Sequence, residues 1–91
     1  MTRVTYAALV TLVDGDVDLI EHLVEEGLIE RRGDDRALVD VDRVLVAHTL
    51  WRELEIEWPG IEVILRLRDA LLAAQRRIGE LEQQLAERPK V

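Results

Sequence analysis

At 91 residues the chain is sized for one domain, and a domain this small buries too little surface to be more than marginally stable alone. Apolar residues make up 48%, yet they include one Tyr, two Trp and no Phe, a composition suited to aliphatic helix packing and not to an aromatic-lined ligand pocket. The net charge of −7 repels a phosphate backbone and favours a basic partner, and the absence of Cys removes disulfides, thiolate zinc sites and thiol catalysis.

In chain order, residues 5–13 form an apolar run whose β-branched members leave helix and strand both open. Asp14, Gly15 and Asp16 break it with turn chemistry. Beyond the break Val17, Ile20, Leu23, Val24 and Leu28 recur at helical spacing, with Asp16 placed to cap the helix start and Gly27 its end. Ile29 and the Leu38-Val39 pair flank a polar stretch containing Gly33, which predicts a small hairpin, or wing. From Asp40, a second N-cap candidate, Val41, Val44, Leu45, His48, Trp51 and Leu54 can share one helical face. That helix is expected to end near Glu57, because Trp58 precedes Pro59 and a residue before proline is pushed out of helical geometry. Pro59 suits the first turn of the next helix, so residues 56–61 read as a rigid corner.

The last helix is expected from about Pro59 to about Glu87, ahead of a frayed tail at residues 88–91. Ile64, Leu67, Leu71, Ala74, Ile78, Leu81 and Leu85 alternate steps of three and four, a coiled-coil seam. Leu65 and Leu72 widen the stripe near its start, so the proximal half is expected on its own domain and the distal half, with Ala74, Ile78, Leu81 and Leu85, on a second copy of the chain. The other reading of the seam folds this helix back into an intramolecular bundle. No stretch approaches the 18 apolar residues of a membrane span, and no basic segment with an apolar run opens the chain, so a soluble, cytoplasmic protein is expected.

The order of these elements is that of the MerR-type winged helix: two helices around a turn, a wing, two helices around a corner, and a dimerising coil. The frame from Gly27, Leu28 and Ile29 to Asp40 and on through residues 51–54 resembles that family. Leu50, Glu53, Leu54 and Ile56 with Trp58, Pro59, Gly60 and Ile61 resemble more specifically the corner of the chaperone modulator family CbpM. The fold class expected is therefore mainly α, a MerR-like winged helix-turn-helix with a small hairpin wing (residues 1–58) and a long C-terminal coiled-coil helix (residues 59–87). The resemblance implies a protein that binds the J-domain of a DnaJ-like co-chaperone, CbpA. It would thereby restrain both stimulation of a DnaK-type chaperone and the co-chaperone's DNA binding.

The residues support the carry-over. Glu21, His22 and Leu23 stand where a DNA-reading MerR protein has Arg followed by two Tyr. From Tyr6 to Glu30 the chain holds seven carboxylates and no Lys or Arg, so phosphate neutralisation is unavailable there. J-domains present a basic helix, which the acidic residues Asp14, Asp16, Asp18, Glu21 and Glu25 would complement. These five are the candidate partner-binding residues, with direct nucleic-acid binding not expected. Arg31, Arg32 and Arg36 on the wing keep a DNA-binding transcription regulator of the MerR type as the rival, and a purely structural dimerisation module is the third reading. No enzyme is expected: the chain has no Ser, no Cys, no phosphate-cradling glycine loop and no His beside a plausible nucleophile. The two His, 22 and 48, lack a second ligand at helical spacing, so neither a metal nor any other cofactor is expected.

Overall fold

The computed structural model describes residues 1–33 and 35–88. Strand β1 (Thr2–Thr5) leads directly into helix α1 (Tyr6–Leu12), where the Thr5 hydroxyl accepts from the Ala8 N–H as N-cap. Helix α2 (Val17–Glu25) follows a turn, then strands β2 (Ile29–Arg32) and β3 (Arg36–Val39), helix α3 (Val41–Arg52) and helix α4 (Trp58–Ala86). The molecule is mainly helical, with one small antiparallel sheet and a long C-terminal helix.

The local chemistry read from sequence produces the element ends. Asp16 and Asp40 each accept from the backbone N–H three residues on, capping α2 and α3. Gly27 takes φ 77°, and the Gly27 and Leu28 N–H groups reach back to the Val24 and Leu23 carbonyls at 3.0 Å, the paired bonds of a left-handed helix stop. Pro59 sits in the first turn of α4.

Several expectations need correction or narrowing. The hairpin is one part of a three-stranded sheet in the order β1-β3-β2, with Arg3 opposite Leu38 and Glu30 opposite Leu38. The β-branched residues that blurred the first apolar run belong to two elements, a strand ending at Thr5 and a helix starting at Tyr6. Helix α3 stops at Arg52, short of Glu57, because Glu55 turns into left-handed backbone (φ 53°) and the Ile56 N–H returns to the Leu50 carbonyl. Its buried face is Val44, Ala47 and Leu50, so Leu45 and Leu54, expected inside, are exposed. Of the expected tail only Arg88 is described; residues 89–91 lie outside the described residues.

The core is aliphatic: Leu9 and Val13 of the first helical segment, Leu19, Ile20 and Leu23 of α2, Ile29, Ala37 and Val39 of the sheet, and Val44 and Ala47 of α3 are almost fully buried. Each large member contributes roughly 1.5–3 kcal/mol through its removal from water. Helix α4 closes this core with Trp58, Ile61 and Leu65. It is further tied to α3 by Arg43, whose Nη2 lies 2.7 Å from Asp69. From Ala70 to Arg88 every residue is exposed, and the molecule is correspondingly elongated, 61 × 31 × 18 Å.

At the corner, a Cβ on Gly60 in the first turn of α4 would stand 2.8 Å from Ile56 Cγ2, so a side chain there forces Ile56 to move. Gly60→Ala is expected to lower stability by about 1–2 kcal/mol, less than a core deletion because the Ile56 side chain can shift. Chemical denaturation measures this, and an unchanged midpoint would mean that the corner repacks freely.

Candidate partner-binding face

The face begins where α1 ends. Asp14 adopts left-handed backbone (φ 52°) and Gly15 follows at φ 73°, with the Gly15 N–H bonded to the Val10 carbonyl at 2.8 Å. This stop turns the chain sharply enough for Asp16 to open α2. The Asp14 carboxylate projects to solvent, with one oxygen 3.3 Å from His48 Nε2 but not aligned as a hydrogen bond.

Asp16 has a different job from its neighbours. One of its oxygens accepts from the Leu19 N–H at 3.0 Å, and the other accepts from the Trp51 indole at 2.8 Å with Arg52 Nη1 at 3.5 Å. Burial pushes the carboxyl's pKa up, but the bonds from Leu19 and Trp51 and the charge of Arg52 together outweigh it, so the net shift is downward. Asp16 therefore clamps the start of α2 to the end of α3.

Asp18, Glu21 and Glu25 are spaced three and four residues apart and form one exposed row along α2, opposite the buried Leu19, Ile20 and Leu23. Among the described residues none of the three is ion-paired, so no cation sits against the row. The five candidates thus divide into a solvent row of three, a turn residue beside it and an inward clamp.

Sequence reasoning missed the apolar members of this neighbourhood. Val17, next to the clamp, is 55% exposed, and Leu54, two residues beyond Arg52, is 60% exposed. Trp51, whose indole donates to Asp16, is half-buried against the core. No signal in the pattern separated Leu54 from the core face of α3, because the early helix end at Arg52 is a tertiary effect.

Behind the row, His22 lies between both tryptophans, stacked on Trp58 at 4.9 Å between centroids and 12° between planes, and tilted against Trp51 at 5.5 Å. Glu26, next along, has its pKa raised by a hydrogen bond with Glu62, then by burial and by the Glu62 charge, against the opposing pull of Trp58 and Arg66. Glu26 and Glu62 thus face each other where the end of α2 meets the first turns of α4.

The opposite charge collects on the outer face of the sheet, where Arg3, Arg32 and Arg36 lie on one side by register. Arg32 pairs with Glu30 at 3.0 Å, and Arg31 lies 6.0 Å from the Tyr6 ring centre. The expected dimerisation residues Ala74, Ile78, Leu81 and Leu85 all lie in solvent on the free part of α4. Among the described residues no group of His and carboxylates is arranged to hold a metal, and no helix is long and apolar enough to cross a membrane.

No family model matches the sequence, and no solved structure matches it. A curated relative does: the chaperone modulatory protein CbpM of Pseudomonas entomophila (strain L48) is 31% identical over 80 residues, covering 79% of this chain and 76% of the relative. The chain belongs to the CbpM family. Its relative's name is that of a modulatory protein and not of an enzyme.

Proposed function

We propose that this CbpM-family chain is an inhibitory adaptor that binds the J-domain of a DnaJ-like co-chaperone of the CbpA type and masks it. The observation that carries the reading is the relationship to CbpM over most of both chains. The geometry supplies what such binding needs. The row Asp18, Glu21 and Glu25 offers an unpaired negative field to a basic helix, with Asp14 at its end. Electrostatic complementarity of this kind speeds and orients the encounter, and affinity comes from apolar anchors. Val17 and Leu54 are suited to be those anchors. Inhibition follows by occlusion, since a covered basic helix cannot reach the DnaK-type chaperone. The same reading takes the two helices around residues 13–16, the hairpin and the corner as a MerR-like winged helix whose DNA-reading positions carry Glu21, His22 and Leu23. It places the protein in the cytoplasm as a homodimer joined through α4.

The test is calorimetric titration of the protein against the isolated J-domain of its own organism's CbpA-like protein at two salt concentrations. Saturable binding that weakens with salt is expected. Asp18→Lys combined with Glu21→Lys is expected to weaken it more than about tenfold, some 1.4 kcal/mol, with the circular dichroism spectrum unchanged. Undiminished binding by that variant would move the contact to the corner or to α4. Failure of the folded wild-type protein to bind would overturn the adaptor reading. Salt-sensitive binding to duplex DNA would instead favour the transcription-regulator reading, to which the outer sheet arginines are suited.

A further inference from the structure

Two exposed faces of the domain carry opposite charge at matching intervals. On the outer side of the sheet the register sets Arg32 directly across from Arg36. Arg3 lies on the other side of β3, opposite Leu38 and so two residues along from Arg36. With strands about 4.8 Å apart and about 3.4 Å per residue, the steps from Arg32 to Arg36 and on to Arg3 are about 5 and 8 Å. All three arginines are exposed, and they surround the half-buried Leu38.

Like charges set directly across a sheet destabilise it, so the Arg32 and Arg36 pair calls for an anion above it. Glu30, 3.0 Å from Arg32, is the carboxylate that this side of the strands supplies, and Asp35 sits in the turn beyond. Three arginines against Glu30 still leave the strand face positive. On α2, Asp18, Glu21 and Glu25 are stepped at about 4.5 and 6 Å along the axis. Among the described residues no ion pair joins this row to the sheet of its own chain.

We propose that the outer face of the sheet docks the acidic row of α2 from a second copy of the chain. Arg32, Arg36 and Arg3 then meet the partner's Asp18, Glu21 and Glu25 in that order. The short step faces the short step and the long faces the long. The difference of about 2 Å is within the reach of long arginine side chains, which bind carboxylates through a fork of donors. Leu38 gives the helix an apolar floor between the charges. The net charge of −7 on each copy opposes approach from afar, but it is screened beyond about 8 Å at physiological salt, and at contact the local pairs decide.

The extent of the face favours this occupant over nucleic acid. A row of three carboxylates ends where the three arginines end, whereas a duplex continues past them and meets a chain of net negative charge. The contact is also heterologous. Each copy offers one sheet face and one row, so copies add end to end and do not close as a pair. A regulatory consequence rests on the adaptor reading above: the docked row is the one assigned to the J-domain. A second copy and a J-domain therefore compete for Asp18, Glu21 and Glu25, and the self-docked protein is a store that the co-chaperone releases.

The test is sedimentation equilibrium of the full chain at concentrations up to about 1 mM, where weak charge-led contacts become populated. The weight-average mass of the wild type is expected to rise past twice the chain mass, which a pair alone cannot reach. Arg36→Glu and Glu21→Arg are each expected to hold it at or below twice, with circular dichroism unchanged. Glu21→Arg moves the net charge from −7 to −5, so general repulsion falls and its loss of association reads the specific contact. Both changes in one chain exchange the partners, and growth is expected to return. A wild type that stays at or below twice the chain mass would overturn the docking. So would growth indifferent to both single variants, lack of rescue, or Arg36-dependent binding of duplex DNA in place of self-association. Added J-domain is expected to abolish the growth. Growth undiminished by a bound J-domain would overturn the competition, whereas a J-domain that does not bind at all overturns the adaptor reading and leaves the docking standing.

Discussion

Trp58→Ala is expected to cost about 3–5 kcal/mol of stability, the range for removing a buried aromatic side chain. Trp58 is the first residue of α4 and is 8% exposed. Its ring stacks on His22, and its removal would open the joint between α4 and the end of α2. Chemical denaturation at fixed protein concentration measures the loss, since a dimer's apparent stability depends on concentration. Trp58→Phe keeps an apolar ring over His22 and is expected to retain most of it, losing chiefly the indole N–H that favours the charged form of Glu26. For a chain whose total stability is about 5–10 kcal/mol, the alanine variant should populate unfolded molecules under native conditions. A loss below 1 kcal/mol would mean that Ile61, Leu65 and the Arg43–Asp69 pair hold α4 without the corner.

What was legible in the sequence is what is settled within a few residues. Asp16, Gly27, Asp40 and Pro59 mark element ends by chemistry that acts over one helical turn, and each does in the structure what its type predicts. The acidic row on α2 was legible because it rests on composition along one face. Strand β1 was not, because Thr2, Arg3 and Thr5 are exposed and only Val4 is partly covered, so the segment lacks a buried alternating face. Its pairing partner β3 lies more than thirty residues away. The core face of α3 was read out of phase because Ala47, small and weakly apolar, takes the central buried position and Leu45 does not. Asp16 was read as a surface carboxylate because its acceptor role for Trp51 spans 35 residues of sequence and exists only once the helices are packed.

That last point separates two carboxylates that the sequence treats alike. Asp16→Ala is expected to cost about 2–4 kcal/mol, of which about 1 is the lost helix cap and the rest the Trp51 indole N–H and Arg52 charge left without their acceptor. Asp18→Ala, on the exposed row two residues away, is expected to change stability by less than about 0.5 kcal/mol. The pH dependence has a definite sign. The Asp16 carboxyl ionises more readily in the folded chain than in the unfolded one, so its contribution is fully present above the ordinary value of 3.8 and is lost as pH falls through the lower folded value. The gap between wild-type and Asp16→Ala stability should therefore be full at pH 7 and shrink on acidification below about pH 4, while the Asp18→Ala gap stays small throughout. Denaturation midpoints across that range decide the matter. If Asp16→Ala weakened J-domain binding with its stability intact, Asp16 would belong to the contact surface; if it loses stability first, the clamp is what presents Asp18, Glu21 and Val17 to a partner.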